Sequence, residues 1–257
     1  MKKNKQLGLI ILLCFSVFGS AANAESFRAR IVKIEGHVYV VNSEGEQRKP
    51  QKKQYLVNSN ETIITRKDSK AIIQFDDGAM SVLDEKSSLR VEKSGWLSQL
   101  GGKVYYVFRK VFGKNKPRKV KTKFATIGIR GTTFIVDMSA ETQKVALQEG
   151  RLNIESVGEY YKIIKKSEKE DGFLNYKLQV EQERQQMNEE FEEYKENIKD
   201  EFIEYKKSFD LYENRVVTLH DNVVEEQEMD RDWESSFEYF SEFSKDYVGA
   251  YRELDKL

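Results

Sequence analysis

Glycine is the residue whose placement most restricts this chain. Of its 15 glycines, twelve fall between Glu25 and Gly172 and only Gly249 follows them, while residues 173–248 contain neither glycine nor proline. The first part therefore has the punctuation of short strands and the second that of long helices. Between Arg28 and Ile164, β-branched and aromatic runs recur, among them Arg30–Ile34, Thr62–Thr65, Ala71–Phe75, Val104–Phe108, Thr133–Asp137 and Leu152–Ser156. Glu35-Gly36, Asp76-Asp77-Gly78, Gly101-Gly102 and Glu149-Gly150 separate them as turns. This pattern predicts one all-β module over residues 25–165, long enough for its own core.

For residues 166–257 the composition shifts to Glu, Lys, Gln, Phe and Tyr. Apolar residues at Met187, Phe191, Tyr194, Ile198, Phe202, Tyr205, Phe209, Tyr212, Val216 and Leu219 recur every three or four positions, which predicts the seam of a long helix. A break is expected at His220-Asp221-Asn222. A second helix follows from about Asp230 to Arg252, with Trp233, Phe237, Phe240, Phe243 or Ser244, and Tyr247 on its apolar side. A helix of that length needs cover, so the expectation is an α-helical hairpin or coiled coil, with a homo-oligomer formed through the helices as the other way to bury the seam.

The formal net charge is zero, but it is unevenly divided: +3 for residues 1–24, +11 for 25–165 and −14 for 166–257. Lys2, Lys3 and Lys5 precede the apolar run Leu7–Val17 and the small-x-small site Ala22-Asn23-Ala24, the order of a cleavable secretory signal. Leu13 stands before Cys14, where a lipid-anchoring signal has a small residue, so a lipid anchor is the lesser reading. The expected product is exported, to the periplasm first and the cell surface or medium second, with no transmembrane segment in the mature chain. Cys14 is the one cysteine, so cleavage after Ala24 leaves no thiol and no disulfide.

Little chemistry is expected. Two histidines, His37 and His220, one in each region, and a cysteine-free mature chain exclude a His/Cys zinc site and a cysteine nucleophile. Neither histidine is accompanied by a serine nucleophile elbow, and no phosphate-cradling glycine loop occurs. The expectation is a non-catalytic protein without cofactor or metal. Its most suggestive feature is a cationic run, Arg109, Lys110, Lys114, Lys116, Arg118, Lys119, Lys121 and Lys123, beside Tyr105, Tyr106, Phe108, Phe112 and Phe124. The export signal disfavours nucleic acid as its target. A solvated hairpin, a dock for the chain's own acidic helices, and a patch for an anionic envelope partner remain open.

The β region resembles the FecR domain, a family of extracytoplasmic bacterial modules. The resemblance begins at Val32-Lys33-Ile34-Glu35-Gly36 and runs through Leu56–Thr65 and Ser69–Gly78. It is strongest over Thr122–Phe134 and Val145–Leu152; Asp77 and Gly78 of the preceding stretch, with Gly128, Arg130, Gly131, Thr132, Phe134, Glu149 and Gly150, are the motif residues that it implies are structural. Asn60 stands where the family usually has glycine, and Lys123 where it usually has proline. The resemblance implies a β-solenoid-like or sandwich-like fold. In the iron-uptake regulators of the family the periplasmic module is tethered through a membrane helix to a segment that controls a sigma factor. Here an export signal leads straight into the module, so the expected role is an envelope scaffold or adaptor for a protein or anionic glycan partner. The alternatives are a sensing module working with a separate membrane or sigma-regulatory protein, and a carbohydrate- or peptidoglycan-binding protein.

Overall fold

The structure is a computed structural model in which residues 29–51, 55–108, 118–129, 131–165 and 203–248 are described. The signal segment with Cys14 lies outside the described residues, as do Arg109, Lys110, Lys114, Lys116, Arg130, Phe191, Tyr194, Ile198 and Phe202. No described helix is long and apolar enough to cross a membrane.

Short runs rich in β-branched and aromatic residues, bounded by turn residues, form the strands. In chain order they are β1 (Ala29–Glu35), β2 (Val38–Val41), β3 (Gln47–Arg48), β4 (Tyr55–Val57), β5 (Thr62–Thr65), β6 (Lys70–Phe75), β7 (Met80–Leu83), β8 (Ser88–Val91), β9 (Leu97–Phe108) and β10 (Arg118–Lys121). They continue with β11 (Ala125–Ile129), β12 (Thr132–Met138), β13 (Gln143–Glu149), β14 (Leu152–Ser156), β15 (Tyr161–Lys165), β16 (Ile203–Lys206), β17 (Ser208–Leu211), β18 (Arg215–His220) and β19 (Val223–Glu228), and a single described helix follows, α1 (Arg231–Val248). The first sheet has the order β4-β1-β6-β7-β9-β12-β13-β18-β19-β15-β16. The second has the order β3-β2-β5-β8-β9-β10-β11-β14-β17. Most pairings are antiparallel; β9 with β10 and β15 with β19 are parallel.

The sheets share β9. Its start pairs with β8 and β10 in the second sheet, and its end, from Gly102 onward, pairs with β7 and β12 in the first. The crossing is at Gly101-Gly102, where Gly102 has φ +77° and a Cβ would lie 2.4 Å from the Ser87 Cα. Only glycine fits there. Beside the crossing, the Tyr106 hydroxyl donates to Gln99 Oε1 at 3.0 Å, and Gln99 Nε2 donates to the carbonyls of Gly102 (2.8 Å) and Val136 (3.1 Å). Every polar atom of this buried group has a partner, which removes the penalty of enclosing it.

The main core lies between the sheets, with Ile31, Ile63, Ile73, Phe75, Leu89, Tyr106, Phe134, Leu147, Ile154, Tyr161 and Leu219 buried in it. The opposite face of the first sheet is also apolar: Ile72, Met80, Val82, Tyr105, Ile135, Ala146 and Val216 point away from the main core and form a second cluster with Trp233, Phe237 and Phe240 of α1. A register shift between Ile31 and Lys33 in β1 leaves Val32 packed against this cluster and sets Lys33 Nζ 3.9 Å from the Phe243 ring centroid. The molecule thus has three layers: helix, first sheet, second sheet.

The helix begins where the sequence indicates. Asp230 Oδ1 accepts hydrogen bonds from the Asp232 and Trp233 amides, both at 3.1 Å, as an N-cap does. Trp233, Phe237, Phe240 and Ser244 are buried and Phe243 and Tyr247 partly so, the face expected for it.

The preceding segment corrects the sequence reading. Residues 203–228 are strands, and the expected long helix, hairpin or coiled coil is absent from them. Tyr205 lies on β16, 67% exposed; Phe209 on β17 packs edge-on to Tyr161 at 5.6 Å; Tyr212, just past β17, is 57% exposed. They form no helical seam. The physical reason is that glycine is not the only residue able to turn this chain: Asn214 (φ +60°) and Asp221 (φ +50°) adopt the left-handed conformation. The run Arg215-Val216-Val217-Thr218-Leu219 then follows its β-branched preference for strand. These strands extend the same two sheets, β16 on β15, β17 on β14 and β18 on β13.

Candidate binding surfaces

The two outer faces differ in chemistry. On the second sheet, inward residues such as Val120, Ala125, Ile127, Leu152, Ile154 and Leu211 are buried. Alternation therefore turns Lys119, Lys121, Thr126, Gly128, Asn153, Glu155, Ser208 and Asp210 outward. This face is polar, and no described helix covers it. On it Trp96, from the β8–β9 turn, lies between two cations: Lys119 Nζ is 5.1 Å and Lys121 Nζ 4.6 Å from its ring centroid. Lys123 Nζ sits 5.0 Å from the Phe124 ring centroid. Cation–π attraction holds flexible ammonium groups at defined positions while leaving them in solvent.

Of the eight cations of the basic run, four are described, and they divide. Arg118 is mostly buried, its Nε paired with Asp77 Oδ2 and its guanidinium 5.4 Å from the Phe75 ring centroid, so it ties β10 to the β6–β7 turn. Asp77 also accepts the Ala79 amide at 3.1 Å through Oδ1, and Gly78 has φ +80°. Lys119, Lys121 and Lys123 face outward. Lys119 Nζ is 4.0 Å from Glu155 Oε2. The cations beneath the acidic helix are different ones: Lys33 donates to the Phe243 carbonyl at 3.5 Å, Lys70 Nζ lies 5.2 Å from the Tyr239 ring centroid, and Lys103 Nζ lies 5.4 Å from that of Trp233. Docking of α1 on the β layers accordingly uses Lys33, Lys70 and Lys103, with Lys119 and Lys121 on the other sheet.

The second surface is a cleft of about 610 Å³ beside α1 on the outer face of the first sheet. Its wall is built from the ends of β9 (Tyr105, Val107, Phe108), β12 (Thr133, with Gly131 before it) and β13 (Gln148, Glu149, then Gly150), together with Glu213 and, from α1, Ser241. Several are motif residues. Gly150 has φ +94°, and a Cβ there would lie 2.4 Å from the Gly131 carbonyl oxygen, so the two turns touch through glycine alone. Thr132 and Phe134 turn inward beside them, both buried. A register shift between Thr133 and Phe134 leaves Gln148 unpaired opposite β12, and Gln148 and Glu149 both reach the cleft.

Glu213 Oε1 accepts the Gly150 amide at 2.9 Å, which fixes that carboxylate over the turn. Tyr105 is only 4% exposed, with its ring stacked 5.5 Å from Phe240, and its hydroxyl makes no hydrogen bond among the described residues. Burial, with the Glu149 charge adding to it, pushes this phenol up to about 12. Sequence reasoning missed the site because Glu213 and Ser241 are remote along the chain and Tyr105 reads as an aromatic flanking the basic run. Among the described residues no group of three or more His, Cys, Asp or Glu is placed to hold a metal ion.

A family model described as FecR protein matches residues 61–153. No curated protein matches the sequence. Among solved structures, two crystal structures of a protein described as an anti-sigma factor from Parabacteroides distasonis, at 2.50 Å and 1.65 Å resolution, resemble the chain with TM-score 0.44 and 12% identity. The similarity covers 68% of this chain, and the chain spans 63% of the length of those structures. The segment that matches the FecR family model, residues 61–153, runs from β5 into β14 and contains the crossing strand β9, the Trp96–Lys119–Lys121 cluster and the paired turns at Gly131 and Gly150.

Proposed function

We propose that this protein is a non-catalytic, exported binding module of the cell envelope, whose FecR domain holds a protein partner on the uncovered face of the second sheet. One observation carries the reading: Trp96 is framed by Lys119 and Lys121 on an open sheet face, whereas the equivalent face of the first sheet is closed by α1. An aromatic with fixed cations beside it suits a carboxylate-bearing segment, because aromatic contact supplies area and the ammonium groups supply orientation. The Lys2–Ala24 signal pattern supports an extracytoplasmic site of action. The test uses the mature chain and a Lys119→Glu/Lys121→Glu variant as baits in envelope extracts at low and high salt. The expected result is a partner retained by the wild type at low salt and lost by the variant, with melting curves that overlay. A partner retained equally by both baits would refute the assignment of the face.

The FecR domain also favours a second reading, in which the held partner is a membrane or sigma-regulatory protein and the module senses on its behalf. A sigma-factor or outer-membrane receptor gene beside this one supports sensing. Neighbours with neither support a scaffold.

A further inference from the structure

The cleft beside α1 has the opposite sign to the β10 face and a different chemistry. It joins a phenol hydroxyl without a hydrogen-bond partner among the described residues, two carboxylates, and the apolar side chain of Val107. We propose that this cleft is a receptor for a single guanidinium or alkylammonium group. The inference is independent of the partner surface on the second sheet, since none of its residues lies there.

Three features select that ligand class. Tyr105 is nine-tenths buried yet lines the cleft, so its hydroxyl is set to contact whatever enters. Glu149 lines the same cleft as that hydroxyl. Glu213 is oriented by the Gly150 amide rather than left to rotate in solvent. A cation with several N–H donors satisfies both carboxylates and the phenol oxygen together. An anion would face two negative charges. A hard metal ion would find only two carboxylates, fewer oxygen ligands than calcium or magnesium take. The Val107 side chain suits a methylene stem, as basic side chains bury their stems and keep the head at a polar group. About 610 Å³ lies within the ordinary range of ligand sites and leaves room beyond the cationic head.

The head group has two sources, a basic side chain of a peptide and a free polyamine. The experiment is calorimetric titration of the mature full chain with Nα-acetyl-arginine methylamide, its citrulline counterpart and spermidine. The arginine probe or spermidine is expected to bind, with citrulline at least about tenfold weaker, since it keeps the shape and loses the charge. Tighter binding of the arginine probe assigns a peptide, and tighter binding of spermidine a free amine. Glu149→Gln and Glu213→Gln should each weaken binding about tenfold, and Lys119→Glu/Lys121→Glu should leave it unchanged. Tyr105→Phe should weaken it several-fold with the melting curve retained. Equal binding of citrulline, undiminished binding by both glutamine variants, or no binding by either cationic probe overturns the proposal. So does binding that emerges only in Arg130→Ala, which would mean that the chain's own cation is the occupant.

Discussion

Removing one ring from α1 should release the helix without melting the sheets. Phe240 is 1% exposed, and its ring lies parallel to Tyr105 at 5.5 Å. Phe240→Ala deletes a buried aromatic, a change that costs about 3–5 kcal/mol. The helix is held by one apolar face, with Trp233, Phe237, Phe240 and Ser244 its buried residues, and by the Lys33 and Gln74 hydrogen bonds to the Phe243 and Tyr247 carbonyls. The sheets have a separate core between them. A loss of about 4 kcal/mol on the helix layer is of the order of a whole domain's stability of about 5–15 kcal/mol, so the opening should be local and come first. Two readouts follow it. Amides of residues 231–248 should exchange far faster, while amides of β12 and β13 keep most of their protection. Tyr105 loses its cover, so its phenol should titrate nearer 10 than about 12 in ultraviolet difference spectra referenced to Tyr105→Phe. Unchanged helix protection together with an unchanged phenol titration would refute the idea that this face holds α1.

Other outcomes follow from single groups. Burial pushes the Asp137 carboxyl up, but hydrogen bonds from Ser139 and the Lys103 ammonium 3.1 Å away outweigh it and hold it below the ordinary aspartate value of 3.8. The stability it contributes is therefore present above 3.8 and lost as pH falls through the lowered value, and Asp137→Asn should flatten that part of the acid unfolding curve. Gln143 is fully buried with neither amide atom hydrogen-bonded among the described residues; Gln143→Met should raise stability by about 1–3 kcal/mol in urea titrations, and a lower midpoint would show that the amide has a partner. Gly150→Ala forces a Cβ to 2.4 Å from the Gly131 carbonyl at φ +94° and should cost about 2 kcal/mol or more, measured the same way.

What the sequence made legible was what depends on near neighbours. The β-branched and aromatic runs Ala71–Phe75 and Val104–Phe108 placed strands there, and Asp230 followed by Trp233, Phe237 and Phe240 placed the helix and its buried face. Asn60, standing for the family's glycine, adopts φ +67°, a conformation that asparagine tolerates better than most residues. What failed was an inference from absence. Lack of glycine after residue 172 argued against turns, yet Asn214 and Asp221 make them, and from Tyr205 to Leu219 the three- and four-residue spacing of apolar residues runs along strands. The cleft was illegible for another reason. The β17–β18 connection carries Glu213 onto Gly150 across 63 positions, and only the folded register of β13 against β18 brings them together.

The layer order explains why one chain carries two surfaces of opposite sign. The first sheet is apolar on both faces, so it needs a cover as well as a partner sheet, and the acidic C-terminal segment supplies both extra strands and the helix. Lys33, Lys70 and Lys103 meet that helix, which leaves Lys119 and Lys121 of β10 on the far side. The same helix contributes Ser241 to the cleft and stacks Phe240 on Tyr105, so the cleft is complete only when α1 is docked. A cationic ligand that binds the completed cleft must therefore stabilise α1 through mass action, by about 2.7 kcal/mol at a hundredfold excess over its dissociation constant. The face of the second sheet, separated from α1 by the main core, is outside that linkage, and the two surfaces can be filled independently.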